Sequence, residues 1–207
     1  MSTEPRSEGY QRFLESVQGV GPEWQESLDV EALLELPKEE RREAEKLLIE
    51  RIEEDDWRAP PALAAAETRG AVMPMKRRMP KAGGRMKVAM AQALATLEAI
   101  PAADPIVAEV LREGEADSGM AAVTAAQEMR SPEIRDALAW ASVHHPAPEV
   151  RANAGATLFY MAGLVTDPLA WDYRPLWMQL RDEDEAARRR AFEEIANTVG
   201  MPPDLAG

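Results

Sequence analysis

His144 and His145 are the only histidines in a chain of 207 residues that contains no cysteine. Neighbours on a helix point about 100° apart, so these two imidazoles cannot close on one metal ion as an i, i+4 pair can. Pro146 breaks the helix behind them, and a histidine at a helix end answers the negative end of the helix dipole. Without cysteine there is no disulfide, no thiolate metal site and no thiol nucleophile. The sequence has no GxxxxGK[ST] loop. Gly19-Val20-Gly21 runs into Pro22, which spoils a GxGxxG fingerprint. No serine sits in a GxSxG elbow. Carboxylates are abundant and a pair could do acid–base work, but their number follows from exposed helix faces. The five tryptophans, Trp24, Trp57, Trp140, Trp171 and Trp177, read as core and packing residues. We therefore expect no catalytic residues, no metal and no cofactor.

Charge carries more information. The chain has a net charge of −13, unevenly spread. Residues 29–56 hold twelve acids and five bases, whereas residues 68–97 hold seven bases and no acid. Within that island, MPMKRRMPKAGGRMK interleaves methionine with Lys76, Arg77, Arg78, Lys81, Arg85 and Lys87. It suits a phosphate grip or an adaptable protein-binding surface. It equally suits a helix whose bases face solvent or the acidic 29–56 segment. A strongly acidic molecule repels nucleic acid and anionic membranes and attracts basic partners.

The elements that would carry these groups are helices. Alanine, leucine, glutamate and arginine dominate, and no stretch alternates polar with β-branched residues. RDEDEAARRRAFEEI, from Arg181 to Ile195, shows the design. Acids precede bases, as a helix dipole prefers, and Asp182 or Asp184 is placed to cap the first turn. Ala187, Ala191, Ile195 and Val199 then form an apolar face, with Asp184–Arg188, Glu185–Arg189 and Arg190–Glu194 as surface pairs. The pattern recurs. Val150, Arg151, Ala154 and Leu158 of PAPEVRANAGATL match Ala187, Arg188, Ala191 and Ile195, and Met86, Lys87, Met90 and Leu94 of RMKVAMAQALATL match again. The small residue lets a neighbouring helix approach, and the bulky one fills the groove beyond. With a shorter helix before each, the pairs read 70–79 with 85–99, 103–113 with 117–130, 132–144 with 147–162, and 174–181 with 184–199. Turn signals separate them: KAGGR, REGEADS, HHPAP, RDEDE, IPAADP, RSP and GLVTDP.

PEVRANAGATL, and less closely DEAARRRAFEEI, resemble the second helix of HEAT-like repeats. The resemblance implies an all-α fold, a short α-α superhelix or solenoid over residues 57–199, with residues 200–207 as a tail. Residues 1–56 would form an N-terminal helical cap, with EGYQRFLESV as one helix ended by the GVGP turn, then a short helix and a long one near Pro37. Asp56-Trp57-Arg58 and Asp172-Tyr173-Arg174 echo one another. Each precedes a proline-led helix, and the expected role of each ring is to plug the core.

In a regular stack the turns within pairs line up along one edge. Glu113, Glu115, Asp117, Asp182, Glu183 and Asp184 would then form an acidic ridge beside the basic KAGGR turn, and Lys76, Arg77 and Arg78 of the basic island are further partner-binding candidates. The expectation is a non-enzymatic, cytoplasmic protein-binding solenoid with a basic protein partner. An immunity protein that neutralises a toxin fits that description, and some are HEAT-like. The alternative that the resemblance implies is a HEAT-like DNA-binding enzyme such as an alkylpurine DNA glycosylase, which the acidic charge disfavours. The sequence offers no signal peptide, and no apolar run approaches the ~18 residues that span a bilayer.

Overall fold

Capping side chains and prolines set where the elements start. A computed structural model describes residues 6–19, 27–113 and 115–207. Among the described residues there are twelve α-helices and no strand. They are α1 (Glu8–Gln18), α2 (Val30–Glu35), α3 (Lys38–Glu53), α4 (Ala59–Ala65), α5 (Val72–Arg78), α6 (Gly84–Thr96), α7 (Asp104–Val110), α8 (Ala116–Ala126), α9 (Pro132–His144), α10 (Pro148–Met161), α11 (Arg174–Trp177) and α12 (Glu185–Val199). Ser7, Asp29, Ser131 and Asp184 each accept a hydrogen bond from a first-turn amide, which satisfies one of the orphan donors there. Proline opens α4, α7, α9, α10 and α11, where its missing N–H costs nothing. No described helix is long and apolar enough to cross a membrane. Trp24 and residues 20–22 of the GVGP turn lie outside the described residues.

The chain divides into two compact units, residues 1–82 with 89–101, and residues 83–88 with 102–207. The division passes through α6, whose first turn belongs to the second unit. In the first unit α1, α2 and α3 pack together, and α3 also packs on α4 and α5. Phe13, Leu33, Leu48, Ile52, Leu63 and Met75 are fully buried there.

In the second unit α7 pairs with α8, α9 with α10, and α11 with α12. First helices meet first helices (α7 on α9), and second helices meet second helices (α8 on α10). The last pair departs from this order. α12 packs on both α9 and α10, while α11 and the 3-10 turn Met178–Arg181 rest on α10. The small-then-bulky residues read from the sequence, Ala154 with Leu158 and Ala191 with Ile195, are all buried. Close approaches fall on glycines, at Gly155 next to Ala154 and at Gly119 in α8. A Cβ on Gly155 would lie 2.3 Å from Leu180 Cδ1, and one on Gly119 would lie 2.8 Å from His145 Nε2. Hydrogen is therefore the side chain that lets these elements touch.

In α10 and α12 the basic residue of the repeated pattern serves carbonyls at the ends of other elements rather than surface carboxylates. Arg151 is buried and donates to five carbonyls: His145 at 2.8 Å, Pro146 at 2.9 Å, Leu180 at 2.7 Å, Arg181 at 3.1 Å and Asp182 at 3.2 Å. Arg188 does the same for Val143, Asp182 and Glu183 at 2.7–3.0 Å. It does not make the expected surface pair with Asp184, because the carbonyl ends of α9 and the 178–181 turn need donors. The Glu185–Arg189 pair does form, at 2.9 Å. Arg190 lies 4.0 Å from Asp184 rather than reaching Glu194.

Candidate protein-interaction site

The residues expected to form a ridge divide by what they hold. Glu113 accepts from Lys87 at 2.7 Å, and Asp117 pairs with Arg85 at 3.1 Å. The Glu113 hydrogen bond is the main reason the Lys87 ammonium titrates above its ordinary value. Glu115 accepts from the Ser118 hydroxyl at 3.4 Å. Asp184 caps α12, and the Asp182 carboxylate accepts from the Asp184 amide at 2.8 Å. The Glu183 side chain is exposed. The structure thus places three of these acids at the start of α8 and three before α12. No hydrogen bond or ion pair joins the two groups among the described residues. The basic candidates are engaged too. Arg77 pairs with Glu53 at 3.2 Å, Arg78 with Asp55, and Lys76 donates to the Ala99 carbonyl at 2.7 Å. The basic island therefore spends Lys76, Arg77, Arg78, Arg85 and Lys87 on bonds within the chain, four of them on carboxylates.

The two histidines part company. His144 ends α9, with Nε2 2.7 Å from the Ala206 carbonyl and its ring 5.6 Å from that of Trp140. His145 is wholly buried, and its Nδ1 accepts from the Ala147 amide at 3.1 Å. A neutral ring that accepts at Nδ1 carries its proton on Nε2, which faces Gly119 and has no hydrogen-bond partner. Burial pushes the His145 pKa down.

Among the described residues, the exposed large apolar side chains of the second unit lie on the loop 162–173, between α10 and α11. Leu164, Leu169 and Trp171 are 42%, 56% and 75% exposed. This corrects the expectation that the tryptophans pack inside: Trp177 is buried, Trp57 and Trp140 are half-buried, and Trp171 faces solvent. The loop is braced from several sides. Gly163, at a φ of +72°, lets the chain turn off α10, with the Leu164 amide donating to the Phe159 carbonyl at 3.1 Å. Asp167 Oδ1 accepts from the Leu169 amide at 2.7 Å, a side-chain turn that bends the chain at Pro168. The Tyr173 ring stacks on buried Phe159, centroids 4.4 Å apart and planes within 9°. The Arg174 guanidinium lies 3.9 Å over the Trp171 ring, a cation–π contact that holds the indole in place.

Trp171 is thus an exposed tryptophan on a braced loop, with an arginine over its ring and Asp167 and Asp172 nearby in the chain. Tryptophan and arginine dominate interface hot spots, and a side chain ordered beforehand loses less entropy on binding. Sequence reading missed Trp171 because a tryptophan near a helix start fits a core plug as well as an anchor. The available signal was loop length: twelve residues between helices exceed an ordinary connection. No protein-family model, curated protein or solved structure matches this chain.

Proposed function

We propose that the chain is a HEAT-like helical-repeat protein, capped by residues 1–56, that binds another protein bearing a positive surface and does so through the Trp171 loop. The exposure of Trp171 beneath Arg174 carries this reading. The net charge of −13, with Asp167 and Asp172 on the same loop, favours a basic partner. Among the roles the repeat resemblance implies, an immunity protein that neutralises a basic toxin agrees best with that charge. A DNA-binding enzyme is less well supported, since Arg77, Arg78, Arg85 and Lys87 are paired with carboxylates.

The test uses the full chain as bait against lysate of its source cells, in parallel with Trp171→Ala and Arg77→Ala. The reading expects a basic protein retained stoichiometrically by the wild type and by Arg77→Ala, lost from Trp171→Ala and weakened by salt. Retention of the same protein by Trp171→Ala removes the loop from the proposal. Binding to duplex DNA in a gel shift, with no protein retained, overturns the proposal altogether.

A further inference from the structure

The second unit holds a cavity of about 230 Å³ at the start of α9, bounded also by the ends of α10 and α12. Leu158 and Met201, both buried, line it together with Met161 and Val199, while Arg130 and Arg135, both exposed, line it as well. The chemistry of the two sides differs. The apolar side offers aliphatic and thioether carbon. The other offers two guanidiniums with little carboxylate to neutralise them. Arg130 donates to the carbonyls of Gln127 at 2.6 Å and Met129 at 2.8 Å and lies 5.4 Å over the Tyr160 ring. Among the described residues it makes no ion pair. Arg135, among the described residues, pairs only with Asp136, at 3.7 Å. In a chain with 37 acids and 24 lysines and arginines, a cavity bordered by two such arginines stands apart. The positive end of α9 lies on the same side, although Glu133 in its first turn partly offsets it.

We infer that this cavity binds a small carboxylate carrying a short aliphatic or aromatic body. The carboxylate lies on Arg130 and Arg135, whose planar forks match two oxygens. The body lies against Leu158, Met161 and Met201. An apolar cavity of about 150 Å³ already takes a benzene ring, so this one accommodates a body of roughly six to eight carbons. The inference is independent of the Trp171 loop and concerns a different side of the fold's chemistry: a small ligand rather than a protein.

The methionines report on it directly. In the full chain labelled at methionine methyls, sodium hexanoate, sodium acetate and 1-hexanol are each titrated to millimolar concentration. Hexanoate is expected to shift the Met161 and Met201 methyls saturably, while the buried Met75 methyl of the first unit stays still. Acetate, which lacks the body, and hexanol, which lacks the charge, are expected to bind at least about tenfold more weakly. Replacing both cationic side chains, in Arg130→Ala with Arg135→Ala, is expected to weaken hexanoate about tenfold and to leave hexanol unchanged. Unchanged Met75 and Met86 methyls, one buried in each unit, confirm that the variant is folded. No saturable shift with hexanoate, equal affinity for hexanol, or undiminished hexanoate binding in the double variant would each overturn the inference.

Discussion

Two turns of nearly the same sequence behave differently. In Asp56-Trp57-Arg58 the arginine closes on its own aspartate: Arg58 Nη2 lies 2.7 Å from Asp56, and both side chains are almost covered. The same guanidinium reaches the Ser16 and Val17 carbonyls at the end of α1, each at 3.4 Å. Burial pushes the Asp56 carboxyl up, but the Arg58 hydrogen bonds and charge outweigh it and hold the carboxyl below its ordinary value. In Asp172-Tyr173-Arg174 the arginine turns away from the aspartate and covers Trp171 instead, and the tyrosine, stacked on Phe159, does the anchoring. One turn is tied by an ion pair and closed inward. The other is tied by a ring stack, which leaves its arginine to cover the neighbouring tryptophan at the surface. A short motif specifies a helix start in both places, and its surroundings decide whether its charges serve the fold or the surface.

The strongest way to break the contrast is to remove the ring under Tyr173. Phe159→Ala is expected to cost about 3–5 kcal/mol in denaturant unfolding, because it opens a cavity in the core and removes the stack. The second turn should lose its order along with it, seen as increased quenching of Trp171 fluorescence. Asp56→Ala comes next, at about 1–3 kcal/mol, since it leaves the covered Arg58 without its carboxylate. A loss of only a few tenths of a kcal/mol in that variant would make the ion pair incidental.

The two regions also separate by pH. Asp56 is depressed in the folded state, so its contribution is present above the ordinary carboxyl value of 3.8 and is lost as pH falls below it. The stability gap between wild type and Asp56→Asn should therefore close in that range. His145 in the second unit acts earlier. Its buried ring holds its proton less well than the unfolded one, which protonates near 6.5. As pH falls below 6.5 the unfolded chain takes up protons first, and stability drops until the buried ring titrates. His145→Gln should remove that part of the slope, and an unchanged slope between pH 6.5 and 5 would rule out this role. The smallest expected effects on folding are at the open turn itself. Asp172→Ala and Trp171→Ala should each change stability by less than about 0.5 kcal/mol, so that any lost partner binding in Trp171→Ala reports the surface alone.

Much of the helical layout is legible in the residues. Pro132, Pro148 and Asp184 mark helix starts that the structure places within a residue of expectation, and Ala154, Leu158, Ala191 and Ile195 are buried as their spacing requires. The arginines are not legible in the same way. Arg151 and Arg188 follow the repeated pattern, but their targets are carbonyls at the ends of other elements, up to 45 residues away. The pairing of Arg77 and Arg78 with Glu53 and Asp55 depends on α5 lying on α3. The acidic residues before α12 and at the start of α8 could be named from the sequence. The cavity beside Arg130 and Arg135 and the exposure of Trp171 could not.

By itself, the sequence determined the helices, their caps and the faces they bury, because propensity, capping and apolar spacing act over a few residues along the chain. Only the tertiary structure decided which charges are neutralised, which tryptophan faces water and where a cavity is left. Those outcomes depend on segments far apart in sequence arriving within a few ångströms of each other, where one missing Cβ or one carbonyl in need of a donor settles what a side chain can do.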